Sequence, residues 1–234
     1  MDERTVVVTG ATRGVGRAVA AEFARENAHV AVCARGTEDV RETVEELAES
    51  GDGEVDGVRG DVRDEFDVER LFEHAVRLGD ANTIDVVVAN AAVNHAPPGE
   101  RPIQDERYDA FEDTLRTNVY GVFAAFREAV PHLAETAHLL VPSGSVAREA
   151  TAGMGAYGVS KAGAEAVARQ FHADCDATVF VLDLGLVATE LTGGDRGRDP
   201  EDVAPMFTWA VREADPEEHG GSVVGLREWR KATR

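Results

Sequence analysis

Short apolar runs alternate with amphipathic stretches along the whole chain. Val6-Val7-Val8 reads as a buried strand and His29 to Ala34 (HVAVCA) as a second. Val55 to Arg59 is a third, weaker strand, and Ile84 to Ala89 a fourth. Leu139 to Val141, Thr178 to Leu182 and Ser222 to Leu226 follow as strands five to seven. Between them, apolar residues recur at helical spacing. Helices are predicted over residues 13–26, over 38–50 (Val40, Val44, Leu47, Ala48) and over 67–78 (Val68, Leu71, Phe72, Ala75, Val76). Residues 105–134 predict one long helical region kinked at Pro131, with Phe111, Leu115, Val119, Val122, Phe123, Phe126 and Val130 in one stripe. Residues 156–172 predict another helix. The last, 199–214, opens with Asp199 as N-cap, Pro200 at N1 and acids in the first turn.

Strands that are apolar throughout are covered on both faces, which favours parallel pairing. The alternation therefore predicts a doubly wound α/β fold of Rossmann type: a seven-stranded parallel sheet in a single domain, residues 1–234. Gly51-Asp52-Gly53 and Gly193-Gly194-Asp195 read as loops within it, not boundaries.

Charge narrows the partners. The net charge is −20, from 44 Asp+Glu against 24 Lys+Arg. The acids are spread along the chain, which argues against nucleic acid and anionic membrane as partners. No apolar run approaches the ~20 residues of a membrane span. MDERTVVVTG runs straight into a strand without a leader pattern. Cys33 and Cys175 show no framework spacing, which fits a reducing cytoplasm. The seven histidines show no metal-ligand spacing. Lys161 and Lys231 are the only lysines. Diffuse acidity with lysine depletion resembles proteins of salt-loving organisms, and predicts folding that needs high salt.

Two stretches carry candidate chemistry. Thr9 to Gly16 follows the first strand and opens the first helix. Gly10 permits a tight turn, and Gly14 and Gly16 let backbone approach an anion at the helix N-terminus. Gly10, Thr12, Arg13, Gly14, Val15 and Gly16 are its candidate cofactor contacts. Where an NAD site commonly carries an acid after strand two, this chain has Ala34 and then Arg35. Two guanidiniums, Arg13 and Arg35, suit a 2′-phosphate, hence NADP rather than NAD. The second stretch, Ser145 to Lys161, ends in Tyr157 and Lys161, one helical turn apart on one face. An ammonium beside a phenol stabilises phenolate and lowers its pKa from ~10. The same spacing occurs on ordinary surface helices.

Together these motifs resemble the short-chain dehydrogenase/reductase family of compact single-domain type, over nearly the whole chain. Thr9 to Gly16 is similar to its TGxxxGxG turn, and Asp61-Val62 to its adenine-contacting pair. Asn90-Ala91-Ala92 resembles its NAG motif with Ala92 for Gly. Asp183 to Thr189 resembles its PGxVxT segment with Leu184 for Pro, a departure that bears on the rigidity of the nicotinamide loop. The resemblance implies Ser145, Tyr157, Lys161 and Asn118 as catalytic residues, with Asn118 supporting a water relay to Lys161. It implies Val187 and Thr189 as carboxamide contacts and Lys161 as a ribose contact. Without the family, Asn118 reads as an outward-facing polar residue.

The implied activity is NADP-dependent interconversion of a carbonyl and a secondary alcohol by hydride transfer, on a small molecule. Ser143 competes with Ser145 for the serine role, and His95 lies near the expected cleft mouth. A 3-oxoacyl thioester, a sugar and a small ketone all remain open as substrates behind a short, glycine-rich lid, residues 190–198. The competing readings are a non-catalytic NADP-binding sensor or scaffold and a sugar-nucleotide epimerase. The family's habit of pairing long helices implies a homo-oligomer, dimer or tetramer. The small face Ala162, Gly163 and Ala166, and Trp229, could serve such contacts or pack within the subunit.

Overall fold

The computed structural model describes residues 1–79, 81–194 and 196–233, so Asp195 of the second glycine loop lies outside the described residues. Seven strands form one parallel sheet: β1 (Thr5–Thr9), β2 (His29–Ala34), β3 (Val55–Arg59), β4 (Ile84–Val88), β5 (Leu133–Ser143), β6 (Thr178–Asp183) and β7 (Val223–Gly225). Their order is β3-β2-β1-β4-β5-β6-β7. The chain moves outward one way from β1 and the other way from β4. The carboxyl ends of these two strands therefore open a crevice at the switch point, where ligands bind in folds of this kind.

The helices are α1 (Gly14–Arg25), α2 (Thr37–Leu47), α3 (Glu65–Ala75), α4 (Tyr108–Leu115), α5 (Gly121–Ala129), α6 (Gly155–Asp174), α7 (Pro200–Val203), α8 (Pro205–Arg212), α9 (Pro216–His219) and α10 (Leu226–Ala232). Strand side chains alternate faces, so each strand feeds two cores. Val6 and Val8 pack with Val19 and Phe23 of α1, Val40 of α2 and Phe207 of α8. Val7 and Val87 pack on the other face with Leu71 and Phe72 of α3, Phe126 of α5 and Ala164 of α6. Burying these strands on both faces is why they read as unbroken apolar runs.

The predicted helix over 105–134 is shorter and broken. Between α4 and α5, Arg116–Tyr120 form a π-helical turn. That extra residue shifts the phase of the stripe. Val122 and Phe126 remain buried, while Phe123 and Val130 emerge exposed. Pro131 ends the helix instead of kinking it: Val130–His132 is a 3-10 turn, and β5 starts at Leu133, six residues before the expected strand. The segment 199–214 is likewise split, because Pro205 starts a new helix after Ala204. Asp199 occupies the cap position, but its side chain makes no capping bond. The sequence reading also missed α9 and α10. Trp229 of α10 packs half-buried on its own subunit's core. A Cβ at Gly163 would come within 2.9 Å of Val119, so that small face serves contact inside the subunit. No helix among the described residues is long and apolar enough to cross a membrane.

Carboxylates crowd the surface of a chain with net charge −20. Raising salt from about 0.1 M to about 1 M shortens the screening length from ~10 to ~3 Å and should relieve that repulsion. Thermal unfolding followed by circular dichroism is expected to move up by several degrees. An unchanged or lower midpoint would show that local ion pairs outweigh the net charge.

Candidate active site

The glycine turn works because nothing but backbone fits there. Gly10 sits at φ +63, and a Cβ on it would come within 2.7 Å of Ala91 Cα. A Cβ at Gly16 would lie 2.2 Å from Gly10 O and 2.3 Å from Asn90 Nδ2. Asn90 locks the turn to the exit of β4: its Nδ2 donates to Thr9 O (3.0 Å) and Gly10 O (2.9 Å). The backbone N–H groups of Asn90 and Ala91 both donate to Thr9 Oγ1 at 3.1 Å. Ala92 is not among the residues at positive φ, so the backbone there tolerates alanine in place of glycine.

A cleft of about 1140 Å³ opens along the carboxyl ends of the strands. It is lined by Gly10, Thr12, Arg13, Gly14, Val15, Gly16, Arg35, Asp61, Val62, Asn90 and Ala91 at one end. Ser145, Tyr157, Lys161, Val187 and Thr189 line the other. Every catalytic and cofactor-binding residue expected from sequence therefore meets in one cleft except Asn118, which stands behind its wall. Arg35 is exposed and makes no side-chain hydrogen bond or ion pair among the described residues, though its charge acts on the Asp61 carboxyl, whereas Arg13 pairs with Glu190 at 2.9 Å across the mouth. Asp61 is bound by Arg63, which holds its carboxyl below the usual range. Arg63 also reaches Asp113, and Asp113 fixes His95 through a 2.8 Å contact at the cleft edge. Bare backbone at the turn, a free guanidinium past β2 and no carboxylate at Ala34 fit a dinucleotide bearing a 2′-phosphate.

At the other end, β5 stops at Ser143 and the chain makes a 3-10 turn, Ser145–Ala147, before α6. The two serines separate by partner. Ser143 Oγ donates to Glu165 Oε1 at 2.6 Å, while Ser145 lines the cleft with its hydroxyl free of side-chain partners among the described residues. Lys161 is buried, and its Nζ donates to Pro142 O at 3.0 Å. The same Nζ lies 5.7 Å from the centroid of the Tyr157 ring. Burial pushes the lysine down to about 8, and Glu165 works in the opposite direction. Burial pushes the Tyr157 phenol up to about 12. The direction differs from the expected lowering: loss of water raises the phenol. Tyr157 is thus a protonated phenol at neutral pH, with a proton to give.

Asn118, in the π turn, is buried and not outward-facing. Its Oδ1 accepts from Val93 N (2.8 Å), and its Nδ2 donates to Val93 O (2.9 Å) and Ser160 Oγ (2.9 Å). It ties the exit of β4 to α6. Val187 and Thr189 sit on a loop pinned at its base, where Ala188 N donates to Arg198 O (2.8 Å) and Arg198 N to Leu186 O (3.0 Å). Sequence reasoning passed over Arg148 and Glu165 and named Asp183 only as the start of a motif; the three are bonded together beside this site. Glu165 lies one turn beyond Lys161, a legible spacing. The other two meet only through the fold.

The family model described as short chain dehydrogenase matches residues 4–199. The 1-deoxy-11-beta-hydroxypentalenate dehydrogenase of Streptomyces exfoliatus is 33% identical over 231 residues, 92% of this chain and 82% of that protein. The glycine betaine reductase of Emericella nidulans is 29% identical over 91% of this chain, which spans only 18% of that protein. Among solved structures, an alcohol dehydrogenase from the archaeon Thermococcus sibiricus complexed with 5-hydroxy-NADP superposes with TM-score 0.82 at 24% identity, covering 95% of each chain. A short chain dehydrogenase from Shigella flexneri complexed with NADP gives 0.86 at 22% identity, covering 97% of this chain and 98% of that one. At these identities the superpositions show the fold.

The buried amine sets a pH dependence with a definite sign. Between about 8 and its ordinary 10.5, Lys161 binds fewer protons folded than unfolded. Its contribution therefore makes stability rise with pH across that window and is constant below it. Lys161→Met lacks this titration. Relative to wild type, the variant should lose roughly 1–3 kcal/mol between about pH 7 and pH 10.5, read by urea unfolding at both. A difference that stays flat, or moves in the variant's favour, would show that the amine is not depressed.

Proposed function

This chain belongs to the short chain dehydrogenase family, and from that premise we propose that it interconverts a carbonyl and a secondary alcohol with NADP. The observation that carries the reading is the meeting of the glycine turn with Ser145, Tyr157 and Lys161 in one cleft. A bound nicotinamide supplies the hydride. Tyr157, protonated at neutral pH, gives its proton to the carbonyl oxygen in reduction and takes one back in oxidation. Lys161 steadies the phenolate left behind and holds the nicotinamide ribose. Ser145 donates to the same carbonyl oxygen as alkoxide character develops. Asn118, by clamping Val93 to Ser160, keeps the region behind Lys161 in place for the water relay.

Arg35 and Arg13 hold the 2′-phosphate, Asp61 and Val62 the adenine, and Val187 and Thr189 the carboxamide. Arg13 must exchange its Glu190 partner for phosphate to do so. Exposed Phe123, Val130 and Val159 support assembly of like subunits, as a dimer or tetramer.

A panel of carbonyls and alcohols with NADPH and NADH, at high and low salt, tests the activity. NADPH oxidation on at least one carbonyl is expected. Tight NADPH binding with no turnover on any compound would favour a non-catalytic sensor. Ser145→Ala should lower kcat by about 10²–10³-fold, as loss of one oxyanion donor does. Ser143→Ala should cost at least about tenfold less, and the reverse ranking would exchange their roles. Arg35→Ser should raise KM for NADPH by roughly tenfold and leave NADH nearly unaffected, because one charge-assisted pair to phosphate is lost.

A further inference from the structure

One guanidinium joins three pieces of the site. Arg148 follows the turn that carries Ser145, and its own N–H closes that turn by donating to Ser145 O at 2.9 Å. Its Nη1 donates to Glu165 Oε1 at 3.0 Å, and its Nη2 to Asp183 Oδ2. Glu165 is 2% exposed and lies one turn past Lys161 on α6. Asp183 is the last residue of β6, and its Oδ1 accepts from Gly185 N at 2.9 Å, fixing the turn where Gly185 takes φ +63.

We propose that Arg148, Glu165 and Asp183 are positioning residues: a charge staple, anchored on the buried Glu165, that fixes the loop 183–189 and the Ser145 turn against the helix of Lys161. The function of the fixed parts rests on the oxidoreductase reading above; the staple itself rests on the contacts. A carboxylate as buried as Glu165 is costly unless paired and hydrogen-bonded. Ser143 Oγ and Arg148 Nη1 share its Oε1, while Arg169 stands 3.9 Å from Oε2 and adds charge only. Arg148 is planar and presents two parallel donors, so it can span two carboxylates in a fixed geometry where a lysine would reach one.

The staple also accounts for Leu184. A proline there would stiffen the turn by fixing φ. Leucine leaves φ free but keeps an N–H, which donates to Ser143 O at 3.2 Å. The parallel pairing of Ser143 with Asp183 brings that carbonyl alongside. Stiffness that proline would supply covalently is supplied here by Asp183, held on one side by Gly185 N and on the other by Arg148. Glu165 adds a second effect, since its charge opposes the burial that pushes the Lys161 amine down.

Amide hydrogen exchange of the full chain, with NADPH affinity by fluorescence alongside, tests the staple. Arg148→Met and Asp183→Asn should each speed exchange over 183–189 by about tenfold, and the double variant should be no faster than the faster single within about threefold. Arg148→Lys should restore part of the protection. The Kd for NADPH should rise in step, while exchange in α1 and β1 stays unchanged. Unchanged exchange in Arg148→Met, or effects that multiply in the double variant, would overturn the proposal. If Arg148→Met does not fold, Asp183→Asn decides alone: it spares the Arg148–Glu165 pair, and normal exchange in it would sink the staple. Wild-type protein that binds neither NADPH nor NADH while the exchange pattern holds would refute the oxidoreductase reading and leave the staple standing.

Discussion

The site depends on one ammonium kept out of water. Lys161 hangs inward from α6 onto the carbonyl of Pro142, just before the end of β5. The cost of burying that charge is met by few groups: one carbonyl and, a turn further along, Glu165. Those groups hold only if β5, α6 and the end of β6 stay in register. In the proposed chemistry this network therefore counts as much as the residues lining the cleft. Ser143, Arg148 and Asp183 touch no reacting atom in that proposed chemistry; their contacts tie Glu165 to the ends of β5 and β6.

The two ends of the cleft use opposite physics. At the glycine turn the proposed function rests on side chains that are missing: backbone donors are left open to an anion, and a Cβ at Gly10 or Gly16 would collide with the turn itself. At the Tyr157–Lys161 end it comes from burial, which keeps the phenol protonated and the amine only loosely so. The free guanidinium of Arg35 lies between a surface rich in acids and a cleft that needs positive charge. It stays unpaired among the described residues while Arg13, Arg17 and Arg63 are claimed by carboxylates.

Much of this was legible in the chain. The buried parallel strands announce themselves as apolar runs, and β2 and β3 fall on the residues expected from pattern. The glycine turn and the Tyr157–Lys161 spacing are local, so sequence shows them. The π turn at Asn118 was not legible: Phe123 and Val130 look like core on a regular helix, and one inserted residue turns them outward. The early start of β5 was hidden because Leu133 to Thr136 lie at the sheet's rim and carry little apolar signal. The direction of the Tyr157 shift was misjudged because spacing reveals the neighbouring cation but not the loss of water. Arg148 and Asp183 lie 35 residues apart and meet through strand order alone.

The proposed chemistry requires a compact ammonium, not merely a positive charge, at position 161. Lys161→Arg tests it with charge conserved, since a planar guanidinium is larger and cannot occupy a point-charge site. Turnover of the best substrate with NADPH is predicted to fall by at least about 10²-fold, with the protein folded and α6 intact by hydrogen exchange. An arginine variant within a few-fold of wild type would show that positive charge alone suffices, and the lysine would then be there by chance.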